Sequence, residues 1–230
     1  MRRPVTTVDA MVTYVLVPGA GGDSRYWHRV TPLLWERGHD VVPVDLPAAD
    51  DTAGFPEYAD AIVAAVGNRT HIVLVAQSLG GFSAPLVCDR LPVGLLVLLN
   101  AMVPAPHENA EDWWQNTGYS RDGDFDMMAD FFHDVPPDVT AEIMAAGERP
   151  QSDHPFAQPW PLEMWPPVPT RFLQARDDRF FPLEFQRRVV AERLGIDIDE
   201  MPGGHLVALS RPEELVERLE TYRASIFSDV

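Results

Sequence analysis

Lysine occurs nowhere in the 230 residues, and all 18 basic side chains are arginine. Without an amine at a fixed place there is no Schiff-base chemistry, no pyridoxal phosphate anchor and no Walker-type phosphate loop. Cysteine occurs once, as Cys88, so no internal disulfide can form and nothing requires an oxidising compartment. Cys88 falls in the helix predicted after residue 78, on the side of Leu86 and Leu91, where a small buried hydrophobe is expected and not a nucleophile. No apolar run approaches the roughly 18 residues of a membrane helix. Basic surface is scarce as well. The formal charge of −17 argues against nucleic acid or anionic membrane as a partner, because counterion release needs cations. What remains is a soluble, cytoplasmic protein that meets a small molecule; its oligomeric state is not legible.

Short β-branched runs alternate with helical stretches through most of the chain. Strands are predicted over 12–17, 41–44, 71–77, 94–99, 170–174 and 196–201. Ser24 is placed to cap a helix over 25–37, where Trp27, Val30, Leu33 and Leu34 share a face and Gly38 ends it. Pro56 opens another, with Ala59, Ile62, Val63 and Val66 at helical spacing. Further helices follow residue 78 and cover 182–194 and 212–226. Alternation with continuously apolar strands predicts an α/β fold, a mostly parallel central sheet covered by helices on both faces. Between 102 and 168 the rhythm breaks into prolines, acids and aromatics. The expected organisation is therefore a core of 1–101 and 169–230 with 102–168 as a helical cap insertion.

The chemistry begins at Ser78, where the run His71-Ile-Val-Leu-Val-Ala-Gln breaks into Ser78-Leu-Gly-Gly. Strand, tight turn and helix in that order lift a serine hydroxyl clear of a sheet, and the strained turn demands small neighbours. Here they are Ala76 and Gly80. A nucleophilic serine needs a base and an acid to orient it. On such a scaffold they follow in the order serine, acid, histidine, each past a strand end. Asp178 lies past the strand 170–174, with Asp177 in reserve, and His205 past 196–201 in Pro-Gly-Gly-His. The paired glycines imply a loop closely approached by other groups. The other six histidines have no such frame. After the first strand, Pro18-Gly-Ala-Gly-Gly turns backbone N–H groups outward, so Ala20 and Leu79 are the candidate oxyanion donors. A dinucleotide fingerprint fails because Ser24 occupies its third glycine position.

With these residues placed, the chain resembles an α/β-hydrolase over about 14–226. Val15-Leu-Val-Pro-Gly-Ala-Gly-Gly, the stretch from Trp27-His-Arg-Val to Pro-Val-Asp45-Leu, and Gly203-Gly-His205-Leu with Ser-Arg-Pro212 are especially similar to the plant methylesterase and hydroxynitrile lyase branch. The resemblance implies the triad Ser78, Asp178 and His205 with donors Ala20 and Leu79. The chain departs from the family pattern at Pro18, where histidine is usual, and at Ala76-Gln77 in place of Gly-His. It has Leu206 where the lyases carry lysine, and Gly19 where they tend to carry threonine. Both last differences point to ester hydrolysis.

The expected function is acyl-enzyme hydrolysis of a small, neutral, largely apolar carboxylic ester, with no cofactor or metal implied. The insertion's aromatics and methionines suit an apolar pocket, for which Gly19, Trp113, Phe131, Phe132, Trp160 and Leu206 are the candidate lining. The same residues would serve a non-catalytic or very slow ligand receptor, or a lactone or carbon–carbon hydrolase.

Overall fold

Six strands alternate with helices in the computed structural model, which describes residues 11–121, 123–147 and 149–227. In chain order these are β1 (Thr13–Val17), α1 (Val30–Glu36), β2 (Asp40–Pro43), α2 (Phe55–Val66), β3 (Ile72–Gln77), α3 (Gly80–Ser83) and β4 (Val93–Leu99). Then come α4 (Trp113–Asn116), α5 (Met127–Asp130), α6 (Pro137–Ala146), β5 (Thr170–Ala175), α7 (Leu183–Leu194), β6 (Asp199–Met201), α8 (Val207–Ser210) and α9 (Pro212–Phe227). The strands form one sheet in the order β2-β1-β3-β4-β5-β6, and every pairing is parallel.

Parallel neighbours need crossovers, and these put helices on both faces. Alternate strand residues therefore enter different cores. Val15, Val17, Leu74, Ala76, Leu96 and Leu98 pack with Ile62, Val66, Val189 and Val190 from α2 and α7. Tyr14, Leu16, Val73, Val75, Leu95 and Val97 face Leu34 of α1 and Leu215 and Leu219 of α9. Burial on both faces is why the strands read as continuous apolar runs rather than alternating ones. A parallel sheet also gathers all strand exits along one edge, which brings the loops after β1, β3, β5 and β6 together.

Three local expectations change. The helix expected over 25–37 is split into a 3-10 turn, Ser24–Trp27, and α1, and the cap is Asp23, whose side chain accepts the Arg25 N–H. The helix after Ser78 is a single α turn that tightens to a 3-10 turn at Ala84–Val87 around Pro85, which cannot donate an N–H. The last strand shortens to Asp199–Met201. Cys88 is partly buried, and burial together with the Asp89 charge pushes its thiol up to about 12. Between β4 and β5 lie α4, α5, α6 and a 3-10 turn at His154–Ala157. Among the described residues no helix is long and apolar enough to cross a membrane.

Candidate active site

At the end of β3 the chain turns through Ser78 with φ at +52°, a left-handed conformation that costs a non-glycine residue energy. Its backbone is held from three sides. Ser78 N–H donates to Leu99 O at 3.3 Å, and Ser78 O accepts from Gly81 N–H at 3.1 Å and Met102 N–H at 2.9 Å. The small neighbours have visible causes. A Cβ on Gly80 would lie 2.8 Å from Pro18 O, and one on Gly81 would lie 1.9 Å from Met102 O.

Ser78 Oγ lies 3.2 Å from His205 Nε2, and His205 Nδ1 lies 2.9 Å from Asp178 Oδ2. All three residues are buried. Asp178 Oδ1 also accepts the N–H groups of Phe180 and Phe181 at 2.8 and 2.9 Å. That fixes the carboxylate with its other oxygen on the imidazole. Asp177 points elsewhere, its Oδ2 accepting the Gly203 N–H at 3.1 Å. The adjacent acids thus divide between the ring and its loop.

After β1, Gly21 and Gly22 take φ of +81° and +61°, folding the loop so that Gly19 presses against Ser78. A Cβ on Gly19 would come within 2.5 Å of Gln77 Oε1 and 2.9 Å of Ser78 Cβ. Among the described residues neither the Ala20 nor the Leu79 N–H donates to a protein acceptor. The next N–H, that of Gly21, is taken, bonded at 2.9 Å to Gln151 Oε1.

A cavity of about 420 Å³ opens beside this group. Gly19, Phe131, Phe132 and Leu206 line it with Met127 and Ile143. Trp113 and Trp160 do not. Both are fully buried in the core beneath the insertion, where their indole N–H groups donate to Val103 O and Phe82 O, each at 2.9 Å. An indole needs a partner for its N–H once buried, and backbone carbonyls supply it there. At the rim Arg25 pairs with Asp23 and Arg149 with Asp45. Burial would raise the Asp23 carboxyl, but the hydrogen bonds from Arg25 and the charge of Arg149 outweigh it and hold the group below its usual range.

Several contributors were not legible from the sequence. Gln77 Nε2 lies 3.1 Å from His205 Nε2. Asn100, fully buried with φ at +45°, donates to the carbonyls of Gly204 and His205 and accepts the Ala175 N–H. Phe131, expected from the sequence as pocket lining, also stacks on the His205 ring at 4.7 Å and 16°. For Gln77 the signal was its place directly before the serine; for Asn100, its place directly after β4. Among the described residues no group of three His, Cys, Asp or Glu side chains is arranged to hold a metal ion.

The chain is 26% identical to polyneuridine aldehyde esterase of Rauvolfia serpentina, over 90% of this chain and 93% of that one. It is 28% identical to the probable esterase PIR7A of Oryza sativa, over 90% and 94%. To the alpha-hydroxynitrile lyase of Arabidopsis thaliana it is 22% identical, over 90% and 95%. The crystal structure of polyneuridine aldehyde esterase superposes with a TM-score of 0.78 at 22% identity, covering 93% of this chain and 99% of that one. Residues 14–218 match the alpha/beta hydrolase family, to which this chain belongs.

Proposed function

We propose that the protein is a serine carboxylic-ester hydrolase that cleaves a small, neutral, largely apolar ester through an acyl-enzyme. The observation that carries the reading is the chain of contacts from Ser78 Oγ to His205 to Asp178, at 3.2 and 2.9 Å. Esterases among the relatives of nearly full length support the same bond type.

Asp178 accepts from Nδ1–H, so Nε2 of His205 is the free base. Ser78 Oγ attacks the ester carbonyl carbon while its proton passes to Nε2. The carbonyl oxygen becomes an oxyanion held by the Ala20 and Leu79 N–H groups, each worth roughly 3 kcal/mol in the transition state. As the tetrahedral adduct collapses, the C–O bond to the alcohol breaks and the alcohol leaves with the Nε2 proton. Water then gives a proton to His205, attacks the acyl carbon and releases the acid, returning the proton to Ser78. Every step uses groups of this chain and water.

The lining supports the substrate class. Met127, Phe131, Phe132, Ile143, Met144, Leu206 and Leu209 form the apolar part of the cavity wall, and the rim arginines are already paired with Asp23 and Asp45, so among the described lining residues no unpaired cation attracts a carboxylate. Residues 102–168 act in this reading as the cap that closes the cavity. A lone cysteine and no disulfide suit a reducing compartment such as the cytoplasm. The test is hydrolysis of short p-nitrophenyl esters by the wild type beside Ser78→Ala. Turnover in the first and a loss of several powers of ten in kcat in the second is expected. Equal rates in both, or none in the wild type, would remove the proposal.

A further inference from the structure

Gly203 and Gly204 precede His205; Gly203 is crowded first by Val207 and Arg211, whereas the groups that crowd Gly204 come from the insertion. A Cβ on Gly204 would lie 2.5 Å from His133 Cε1 and 2.6 Å from Asp134 Oδ1. The Gly204 N–H donates to Asp134 Oδ2 at 2.8 Å. In the same turn, which follows α5, Phe131 lies stacked on the imidazole of His205. We infer that Asp134 is a positioning residue for His205: its carboxylate fixes the Gly204 amide, and with it the place of the ring between Ser78 and Asp178. The inference rests on the serine-hydrolase reading above.

The His205 loop has three anchors. Asn100 takes the carbonyls of Gly204 and His205 at 3.2 and 3.1 Å. Asp177 takes the Gly203 N–H at 3.1 Å. Both belong to the sheet's own strand exits, whereas Asp134 belongs to the insertion. The turn that carries it is seated on both sides of the site. Phe132, Val135 and Val139 pack on Leu209 of α8, directly after the histidine. Arg179, next to Asp178, donates to Ala129 O of α5 at 2.9 Å. The third anchor thus holds only while the insertion is docked, so docking of the insertion adds to the placing of the histidine for proton transfer. Asp134 does not line the cavity, so its loss belongs in kcat and not in KM.

The test compares kcat and KM on a short p-nitrophenyl ester, and the rate of Ser78 labelling by a fluorophosphonate, in folded variants. Asp134→Ala is expected to lower kcat and labelling roughly 10- to 100-fold, the usual effect of displacing a catalytic group by about an ångström, with KM little changed. Asp134→Asn keeps an acceptor of the same reach and is expected to recover most of the loss. Gly204→Ala places a methyl where the turn sits, so it lowers kcat in the same way, and the double variant with Asp134→Ala loses little more. Unchanged kcat in Asp134→Ala, a change confined to KM, or an Asn variant as slow as the Ala variant overturns the inference. If Asp134→Ala does not fold, Gly204→Ala decides, and normal kcat there overturns it. Activity surviving in Ser78→Ala is a different result: it removes the serine reading itself.

Discussion

Two donors face the one lone pair that His205 Nε2 can offer, Ser78 Oγ at 3.2 Å and Gln77 Nε2 at 3.1 Å. A carboxamide there is neutral, so it competes with the serine without changing the charge of the base. Replacing it by a carboxylate changes the chemistry. The Asp178 carboxylate already holds Nδ1, the Phe131, Phe180 and Phe181 rings pack on the imidazole, and the Asp134 carboxylate and His133 stand behind Gly204. An added anion at Gln77→Glu stabilises the imidazolium over the neutral ring that must accept the serine proton. The acid limb of kcat/KM is therefore expected to move up by roughly one pH unit or more, with activity recovering at alkaline pH. A pH–rate profile of Gln77→Glu beside wild type reads this directly, and coincident acid limbs would contradict it. The effect could not be foreseen from Gln77 alone, because the side chain meets the imidazole from 128 positions away.

At the scale of elements, what was legible followed from local rules. Period and punctuation placed the strands within one to three residues, because strands buried on both faces leave an unbroken apolar signature. The serine turn and the order of its partners were legible for the same reason: strand exits and small residues are local features. Side-chain destinations in the insertion were not. Nine aromatics crowd that segment, and a sequence cannot tell a ring that lines a cavity from one that pins the segment to the sheet. Trp160 pins, with its N–H on Phe82 O, whereas Phe132 lines. The two roles separate experimentally. Trp160→Phe strands the Phe82 carbonyl, which costs ~1–3 kcal/mol. Its melting temperature is expected to fall while KM for a short ester holds. Phe132→Ala enlarges the cavity, so KM for the same ester is expected to rise and longer acyl chains to become acceptable. Thermal melts with steady-state kinetics on an ester series check both, and a KM change in Trp160→Phe would return that ring to the pocket.

Across the whole molecule, one buried polar cluster ties the first strand to the last helix. Tyr14 of β1 donates to Glu220 Oε1 of α9 at 2.5 Å, 206 positions away. His39 Nε2, at the exit of α1, lies 3.0 Å from the same oxygen. Arg223 Nε donates to both Glu220 oxygens at 3.2 and 3.1 Å. Burial alone would raise the Glu220 carboxyl, but hydrogen bonds from His39 and Tyr14 and the charges of His39 and Arg223 outweigh it and draw it from 4.5 down to about 2. A carboxyl depressed by folding adds stability above its unfolded value, and that stability is lost as pH falls toward the folded one. Glu220→Gln should therefore be less stable than wild type at pH 7, where the anion and its donors are intact. The gap should narrow as pH drops below about 4.5 and close near 2, when the wild-type carboxyl is itself protonated. Urea midpoints for both proteins across that range provide the measurement, and a gap independent of pH would mean that Glu220 holds the helix by shape and not by charge. The formal charge of −17 adds a background to both curves. Repulsion among acids relaxes as pH falls toward the pI of about 4.6, and repulsion among the arginines and histidines grows below it, alike in both proteins. Only the difference between them isolates Glu220, which is why the variant, and not the acid denaturation of the wild type alone, decides what joins the two ends of the fold.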